Sequence, residues 1–154
     1  MNTKIKNKGF TIIEVVLVLA IAGLIFMMVF VALPALQRSQ RDTQRKNDLS
    51  RLNTAVASYQ SNNRGALPTS VTGWKSLVTN YVRVSGDTFV DPSGTDYIIS
   101  TTGTLPAAFD ASKPVILVTT GAVCKGETIV TNQGSRKVAF QMRLEGSGVA
   151  CQNN

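Results

Sequence analysis

Hydrophobic positions in this 154-residue chain follow three patterns in succession. The first is an apolar run, residues 15–36, which contains no charged residue. As an α-helix this run would be about 33 Å long, enough to cross the hydrocarbon core of a bilayer. The second pattern is a stripe at three- and four-residue spacing within residues 38–61, formed by Leu49, Leu52, Val56 and Tyr59. It predicts that the helix continues as an amphipathic segment whose stripe packs on a folded head.

The third pattern, beyond the helix, is typical of strands and turns. Gly65 suits a left-handed helix cap, and Pro68 prevents the helix from resuming. Residues 115–120 are nearly all β-branched, as expected of a central strand buried on both faces. Residues 137–145 alternate strictly between apolar and polar, which predicts a strand with one face in the core. The inward set is Val138, Phe140, Met142 and Leu144, and the outward set is Lys137, Gln141, Arg143 and Glu145.

Smaller elements complete the predicted head. Residues 128–131 are predicted to pair with the alternating strand across a turn at residues 132–135. A turn at residues 91–94 precedes a short strand, and residues 73–82 predict a short helix in which Trp74 anchors the core. A helix followed by strands indicates the α+β class. The predicted architecture is a long N-terminal transmembrane and amphipathic helix packed on a small antiparallel β-sheet head.

The residues before the apolar run form a distinctive leader. Three lysines precede a Gly9–Phe10 pair, namely Lys4, Lys6 and Lys8. Glu14 lies at the edge of the apolar run, where an unpartnered carboxylate costs several kcal/mol. No Lys or Arg lies between Phe10 and Gln37 to pair with it. Cleavage after Gly9 would create an α-ammonium group on Phe10, one helical turn from Glu14.

On these residues the N-terminus, residues 4–36, resembles that of a type IV prepilin. The features are the class III signal shared by pilins, pseudopilins and related filament subunits. The resemblance implies that a prepilin peptidase cuts after Gly9 and N-methylates Phe10. It also implies that Glu14 neutralises the amino terminus of a neighbouring subunit during assembly.

The resemblance further implies a helix that loosens between a glycine and a proline, roles that fall on Gly23 and Pro34.

The predicted organisation has four parts: a leader (residues 1–9), a transmembrane and assembly half of the helix (10–36), an amphipathic half (37–63) and a β-rich head (64–154).

Two other interpretations of the apolar run are open. A secretory signal peptide would use Ala20-Ile21-Ala22 as its cleavage site, but this triplet lies in the middle of the run. A plain signal anchor explains the length of the run and leaves Gly9, Phe10 and Glu14 unexplained. A simple count of basic residues after the run would place the C-terminal side in the cytoplasm. The leader and the cysteines argue for export.

The charge distribution does not indicate a dedicated nucleic-acid surface. The formal net charge is +7, but three of the sixteen basic residues belong to the leader. The remaining basic residues form no run interleaved with aromatic residues, so we expect at most weak, non-specific DNA contact by an assembled polymer. On the helix, Asp42 with Arg45 and Lys46, and Asp48 with Arg51, are predicted surface pairs on a solvated face.

The usual catalytic constellations are absent from the sequence. The chain has no histidine, no Cys-x-x-Cys, no Gly-x-Ser-x-Gly and no phosphate loop, so it is not expected to be an enzyme or to need a cofactor or metal. Asp87, Asp91 and Asp96 are calcium ligand types, but their spacing matches no defined loop, which favours a solvated turn.

Two cysteines occur, Cys124 and Cys151, both near the C-terminus. An even count in an exported chain favours a disulfide, and two free buried thiols are the alternative.

The sequence therefore predicts a subunit of an extracellular type IV pilus, which serves adhesion, twitching motility or DNA uptake. The alternatives are a pseudopilin of a type II secretion system and a minor tip adhesin. The resemblance implies a homopolymeric filament as the final state and a single-pass membrane precursor before it. The implied partners are prepilin peptidase, an inner-membrane platform protein and an assembly ATPase.

Overall fold

The computed structural model of the chain describes residues 9–154, apart from the side chain of Ser85. The three leader lysines, Lys4, Lys6 and Lys8, lie outside the described residues. The chain divides into two compact units, Met1–Gln37 and Arg38–Asn154. A single α-helix, α1 (Ile12–Asn62), contributes to both units.

The described part of the first unit is the N-terminal segment of α1. Its most apolar 18-residue window has a mean hydropathy of 3.1 and is 0% buried, and the helix is long and apolar enough to cross a membrane. Pro34 lies inside the helix, and the helix is continuous through Gly23 and Pro34. The loosening expected between these two residues therefore stays a prediction about the assembled state.

The second unit contains a four-stranded sheet with the strand order β1-β2-β5-β6 and a two-stranded sheet formed by β3 and β4. The strands are β1 (Ile98–Ser100), β2 (Val115–Thr120), β3 (Val123–Lys125), β4 (Thr128–Val130), β5 (Val138–Arg143) and β6 (Val149–Asn153). All pairs are antiparallel except β1 with β2, which is parallel. The predicted α+β class and the central position of residues 115–120 are confirmed.

The C-terminal part of α1 covers one face of the four-stranded sheet. Leu49, Leu52 and Val56 are buried in one core cluster with residues of β2 and β5. Trp74 lies in a second helix, α2 (Val71–Leu77), and packs edge-on against Phe140 with ring centroids 5.8 Å apart. Trp74 is therefore a core anchor, as predicted.

The predicted pairing of residues 128–131 is wrong. Residues 128–130 form β4, which pairs with β3, whereas β5 pairs with β2 and β6. The turn at residues 132–135 connects β4 to β5 without making a hairpin, and Gln133 N in this turn donates to Gly121 O at 2.8 Å. The C-terminal segment, for which no element was predicted, supplies the strand β6 that completes the sheet.

The outward face of β5 is also not solvated as predicted. Ala139 and Gln141 are buried, so five consecutive residues of this strand are buried. Gln141 Nε2 donates to Glu127 O at 2.8 Å, in the turn between β3 and β4. A second layer of chain therefore covers this face, which an alternating pattern alone does not reveal.

Candidate processing and assembly site

The N-terminal end of α1 is capped by its own side chains. Glu14 Oε2 accepts hydrogen bonds from Thr11 N and from Thr11 Oγ1, both at 3.1 Å. Thr11 Oγ1 in turn accepts from Glu14 N at 3.3 Å. This reciprocal arrangement is a capping box, which satisfies amide groups that the first turn of a helix leaves unpaired.

The capping box corrects the view that Glu14 has no partner within its own chain. The sequence contained the signal, since Thr11-Ile12-Ile13-Glu14 matches the Thr-x-x-Glu pattern of a capping box. A carboxylate at this end of the helix is also favoured by the helix dipole. In the single chain, Glu14 is therefore held at the helix N-terminus by groups that do not carry a full charge.

Gly9 and Phe10 precede the helix and are fully accessible. Phe10 is 89% exposed, and a Cβ atom built on Gly9 would meet nothing within 4 Å. Packing within the described chain therefore does not require glycine at position 9. Gly23 is likewise free of neighbours at its Cβ position. These glycines are explained more readily by what binds the segment than by the fold of the single chain.

An ionic network centred on Arg45 is a feature that the sequence did not reveal. The Arg45 side chain is completely buried and donates two hydrogen bonds to Asp91. Nε donates to Oδ2 at 2.6 Å, and Nη2 donates to Oδ1 at 2.9 Å. The side chain also binds Asp42 at 2.8 Å and Glu145 at 3.3 Å. The guanidinium group lies 4.0 Å from the centroid of the Phe109 ring.

The predicted solvated face of the helix is therefore wrong at Asp42 and Arg45, which are both buried. Asp42 accepts hydrogen bonds from Glu145 N at 2.9 Å and Gly146 N at 2.7 Å, so it also caps the turn between β5 and β6. The helix pattern could not show this, because Asp91 and Glu145 lie far away in the sequence. The prediction holds for Lys46, which is exposed.

Burial and hydrogen bonding shift the pKa values of this network in opposite directions. Burial alone would raise the pKa of Asp91, but hydrogen bonds from Arg45 and Ser93 outweigh it and leave this pKa below its usual range. Burial would likewise lower the pKa of Arg45, and the hydrogen bonds to Asp91 and Asp42 raise it above its usual value. The hydrogen bonds from Arg41 lower the pKa of Glu145. All these groups are therefore charged at neutral pH.

The three aspartates considered as calcium ligands are paired with arginines instead. Asp91 is buried against Arg45, so the prediction of a solvated turn is wrong for this residue. Asp87 lies 3.6 Å from Arg51, and Asp96 is bound by Arg83. Within residues 9–154 no cluster of three potential metal ligands is found.

Cys124 in β3 and Cys151 in β6 are joined by a disulfide bond, with Cα atoms 5.8 Å apart. The bond connects the two-stranded sheet to the edge of the four-stranded sheet. At this junction Cys124 N also donates a hydrogen bond to Asn153 Oδ1 at 3.0 Å.

Replacement of both cysteines by alanine is expected to destabilise the second unit by roughly 3 kcal/mol, because the bond closes a loop with a sequence separation of 27. Limited proteolysis and chemical unfolding of the full chain measure this loss. Thiol labelling of native surface protein should modify neither cysteine before reduction. Labelling of both cysteines under these conditions would contradict the disulfide and the oxidising location.

The N-terminal segment is similar to a known family motif. Residues 4–30 match the model of the prokaryotic N-terminal methylation motif. No curated protein and no solved structure matched the chain. The motif supports a prepilin-type N-terminus similar to that of type IV pilin-like precursors, and the long apolar helix followed by a small sheet is a pilin-like fold. These findings support a type IV pilin-like or pseudopilin precursor, a class of proteins that is structural rather than enzymatic.

The location follows from the same features. The class III signal and the apolar helix fit a precursor that is first anchored in the membrane and then enters a surface pilus.

Proposed function

We propose that this chain is the structural subunit of an extracellular type IV pilus filament. The precursor is inserted in the membrane through residues 10–36. Prepilin peptidase cuts between Gly9 and Phe10 and methylates the new amino group of Phe10. The mature chains then polymerise.

The observation that carries the proposal is the exposure of the apolar segment. Its large hydrophobic side chains, from Phe10 to Leu36, are between 46% and 89% exposed. Nothing in the described chain covers them, and side chains of this kind each gain about 1.5–3 kcal/mol when they are buried. In the precursor, lipid covers this surface. In a filament, the same segments of other subunits replace the lipid through close helix packing.

The capping box suggests how Glu14 acts in the two states. In the precursor, the Thr11 amide and hydroxyl groups satisfy the carboxylate. After cleavage, the Phe10 ammonium group of a neighbouring subunit offers a charged partner, and charge-assisted hydrogen bonds are roughly twice as strong as neutral ones. Exchange of the local partner for the neighbour's ammonium would align adjacent subunits and occur only after processing.

The parts of the chain then take distinct roles. Residues 1–9 are the leader, and residues 10–36 form the filament core, with loosening of the helix between Gly23 and Pro34. Residues 37–63 connect the core to the head, residues 64–154. The peptidase, an inner-membrane platform protein and an assembly ATPase are the partners expected for this cycle. Contact with DNA would be weak and non-specific.

Filaments sheared from cells test this function. We expect this chain to be their most abundant protein, and its deletion should remove the filaments seen by electron microscopy. If the chain were restricted to a few copies at filament tips, it would be a minor adhesin. If it formed no surface filament while its loss blocked protein secretion, it would be a pseudopilin. Either result would contradict the proposal.

A further inference from the structure

A cationic groove lies in the second unit where α1 ends. It has a volume of about 750 Å³ and is formed by the loop after α1, the end of β2 and the turns that follow β1 and precede β5. Its lining includes two arginines, Arg64 and Arg136, and no carboxylate. Six residues that carry a hydroxyl group are also among its lining residues, namely Thr69, Thr101, Thr102, Thr119, Thr120 and Ser135.

Within residues 9–154, the two groove arginines differ from most other arginines of this unit in having no acidic partner. Ion pairs bind five arginines to carboxylates, namely Arg38, Arg41, Arg45, Arg51 and Arg83. Among residues 9–154, no ion pair or side-chain hydrogen bond reaches the guanidinium group of Arg64 or Arg136. The Arg45 network contacts α1 about 25 Å from the groove, measured along the helix toward its N-terminus. Its carboxylates therefore do not balance the positive charge of the groove.

Arg136 is held at the groove by its surroundings. Its backbone oxygen accepts hydrogen bonds from Gln60 Nε2 at 2.8 Å and Asn154 Nδ2 at 2.9 Å. Its guanidinium Nε lies only 2.9 Å from the point where a Cβ atom would stand on Gly65. Gly65 therefore leaves the space that the Arg136 side chain occupies, so this cation is positioned rather than merely exposed.

Arg64 is positioned by a backbone conformation that is unfavourable for its type. It has a φ of 56°, in the left-handed region that glycine and asparagine adopt more readily. A residue other than glycine costs about 1–2 kcal/mol there. Backbone strain of this kind is concentrated at functional sites. Here it directs the chain so that Arg64 lies at the same groove as Arg136.

The lining chemistry selects among anionic ligands. Guanidinium groups bind the two oxygens of a carboxylate in a bidentate manner, and clustered hydroxyl groups suit a ligand that itself carries many hydroxyls. Single-stranded nucleic acid needs exposed aromatic rings on which bases stack, and the one aromatic residue of the lining, Trp74, is only 1% exposed. Duplex DNA is bound through many phosphate contacts, whereas this groove offers two cations.

We propose that the groove between Arg64 and Arg136 binds an acidic saccharide, with the two guanidinium groups on a sugar carboxylate and the threonine and serine hydroxyls on the sugar hydroxyls. The site lies entirely in the second unit. Its test therefore needs no filament, and its failure is distinguishable from failure of the proposed pilus function.

The test is calorimetric titration of the full chain, purified in detergent, with an oligomer of galacturonic acid. A neutral galactose oligomer of equal length and a single-stranded oligonucleotide are titrated in parallel. The groove variant is Arg64→Gln with Arg136→Gln. The matched control, Lys113→Gln with Lys125→Gln, removes the same charge from two exposed positions outside the groove.

We expect the wild type and the lysine control to bind the acidic oligomer equally, and the groove variant to bind it about tenfold or more weakly. A second variant, Thr102→Val with Ser135→Ala, keeps the charge and should bind about threefold or more weakly. Equal weakening in the arginine and lysine variants would overturn the site, as would no binding by the wild type or equal binding of the neutral oligomer. Tighter binding of the oligonucleotide would overturn the ligand assignment.

Discussion

Replacement of Glu14 by alanine is expected to impair filament assembly strongly and to leave the chain fully inserted in the membrane. Removal of the carboxylate lowers the cost of insertion by a few kcal/mol, because a charged group near the apolar segment is expensive. The same change leaves the Phe10 ammonium of a neighbouring subunit without its partner. Membrane fractionation measures insertion, and the amount of sheared filament measures assembly. We expect filament yield to fall by about a hundredfold, because a hydrogen bond to a charged group contributes up to about 3 kcal/mol and this contact is lost at every subunit interface.

The variant Thr11→Ala separates assembly from helix capping. It removes the hydroxyl group of the capping box, at a cost of about 1 kcal/mol in helix stability, and keeps the Glu14 carboxylate. Filament yield should therefore be much less affected by Thr11→Ala than by Glu14→Ala. Equal loss in the two variants would show that Glu14 acts mainly as a helix cap, and wild-type yield from Glu14→Ala would show that the proposed pairing is dispensable.

Replacement of Arg45 by methionine is expected to destabilise the head by about 3–5 kcal/mol, the usual cost of leaving one partner of a buried ion pair unpaired. Asp91 would then remain buried at 1% exposure without its guanidinium partner. Arg51→Met is the matched control, since Arg51 and its partner Asp48 are partly exposed and such pairs contribute about 0–1 kcal/mol. Urea unfolding of the full chain in detergent measures both. Similar losses in the two variants would contradict a special role for the buried network.

The pH dependence gives this prediction a distinct signature. In the wild type the pKa values of Asp91 and Glu145 are lowered, so their contribution is present above the unfolded values near 4 and is lost as the pH falls below them. In Arg45→Met, burial becomes the dominant effect on Asp91 and raises its pKa. Acidification from neutral pH should therefore stabilise the variant, while the wild type loses stability only in strong acid. A variant with the wild-type pH profile would show that Asp91 finds another partner.

The elements of this fold were predictable where one local pattern determines them. The apolar stripe on α1, the β-branched strand β2 and the turn at Gly65 each follow from residues close together in the sequence. The pairing of β3 with β4 was not predictable from these patterns, because Thr128 and its neighbours alternate too briefly to distinguish β3 from β5 as a partner. The C-terminal strand β6 was missed for a similar reason, since it has few apolar residues and gains its order from hydrogen bonds to β5.

The functional residues likewise divide into those that a local sequence pattern indicates and those that only the fold brings together. Roles for Gly9, Phe10 and Glu14 could be proposed from the sequence because the expected processing signal is contiguous, and these roles stay predictions. The capping role of Thr11 could also be predicted from the sequence, provided that the helix begins at Ile12. The Arg45 network could not be predicted beyond its local pair with Asp42, because Asp91 and Glu145 come from two distant segments that approach Arg45 only in the folded head. The groove arginines, Arg64 and Arg136, are distinguished only by what surrounds them, which again requires the fold.

Processing after Gly9, followed by polymerisation, can be measured on filaments sheared from the cell surface. Intact-mass and N-terminal peptide analysis of these filaments should find a chain that starts at Phe10 and carries one additional methyl group on its α-amino nitrogen. A filament chain that retains Met1 and the leader would rule out the proposed processing.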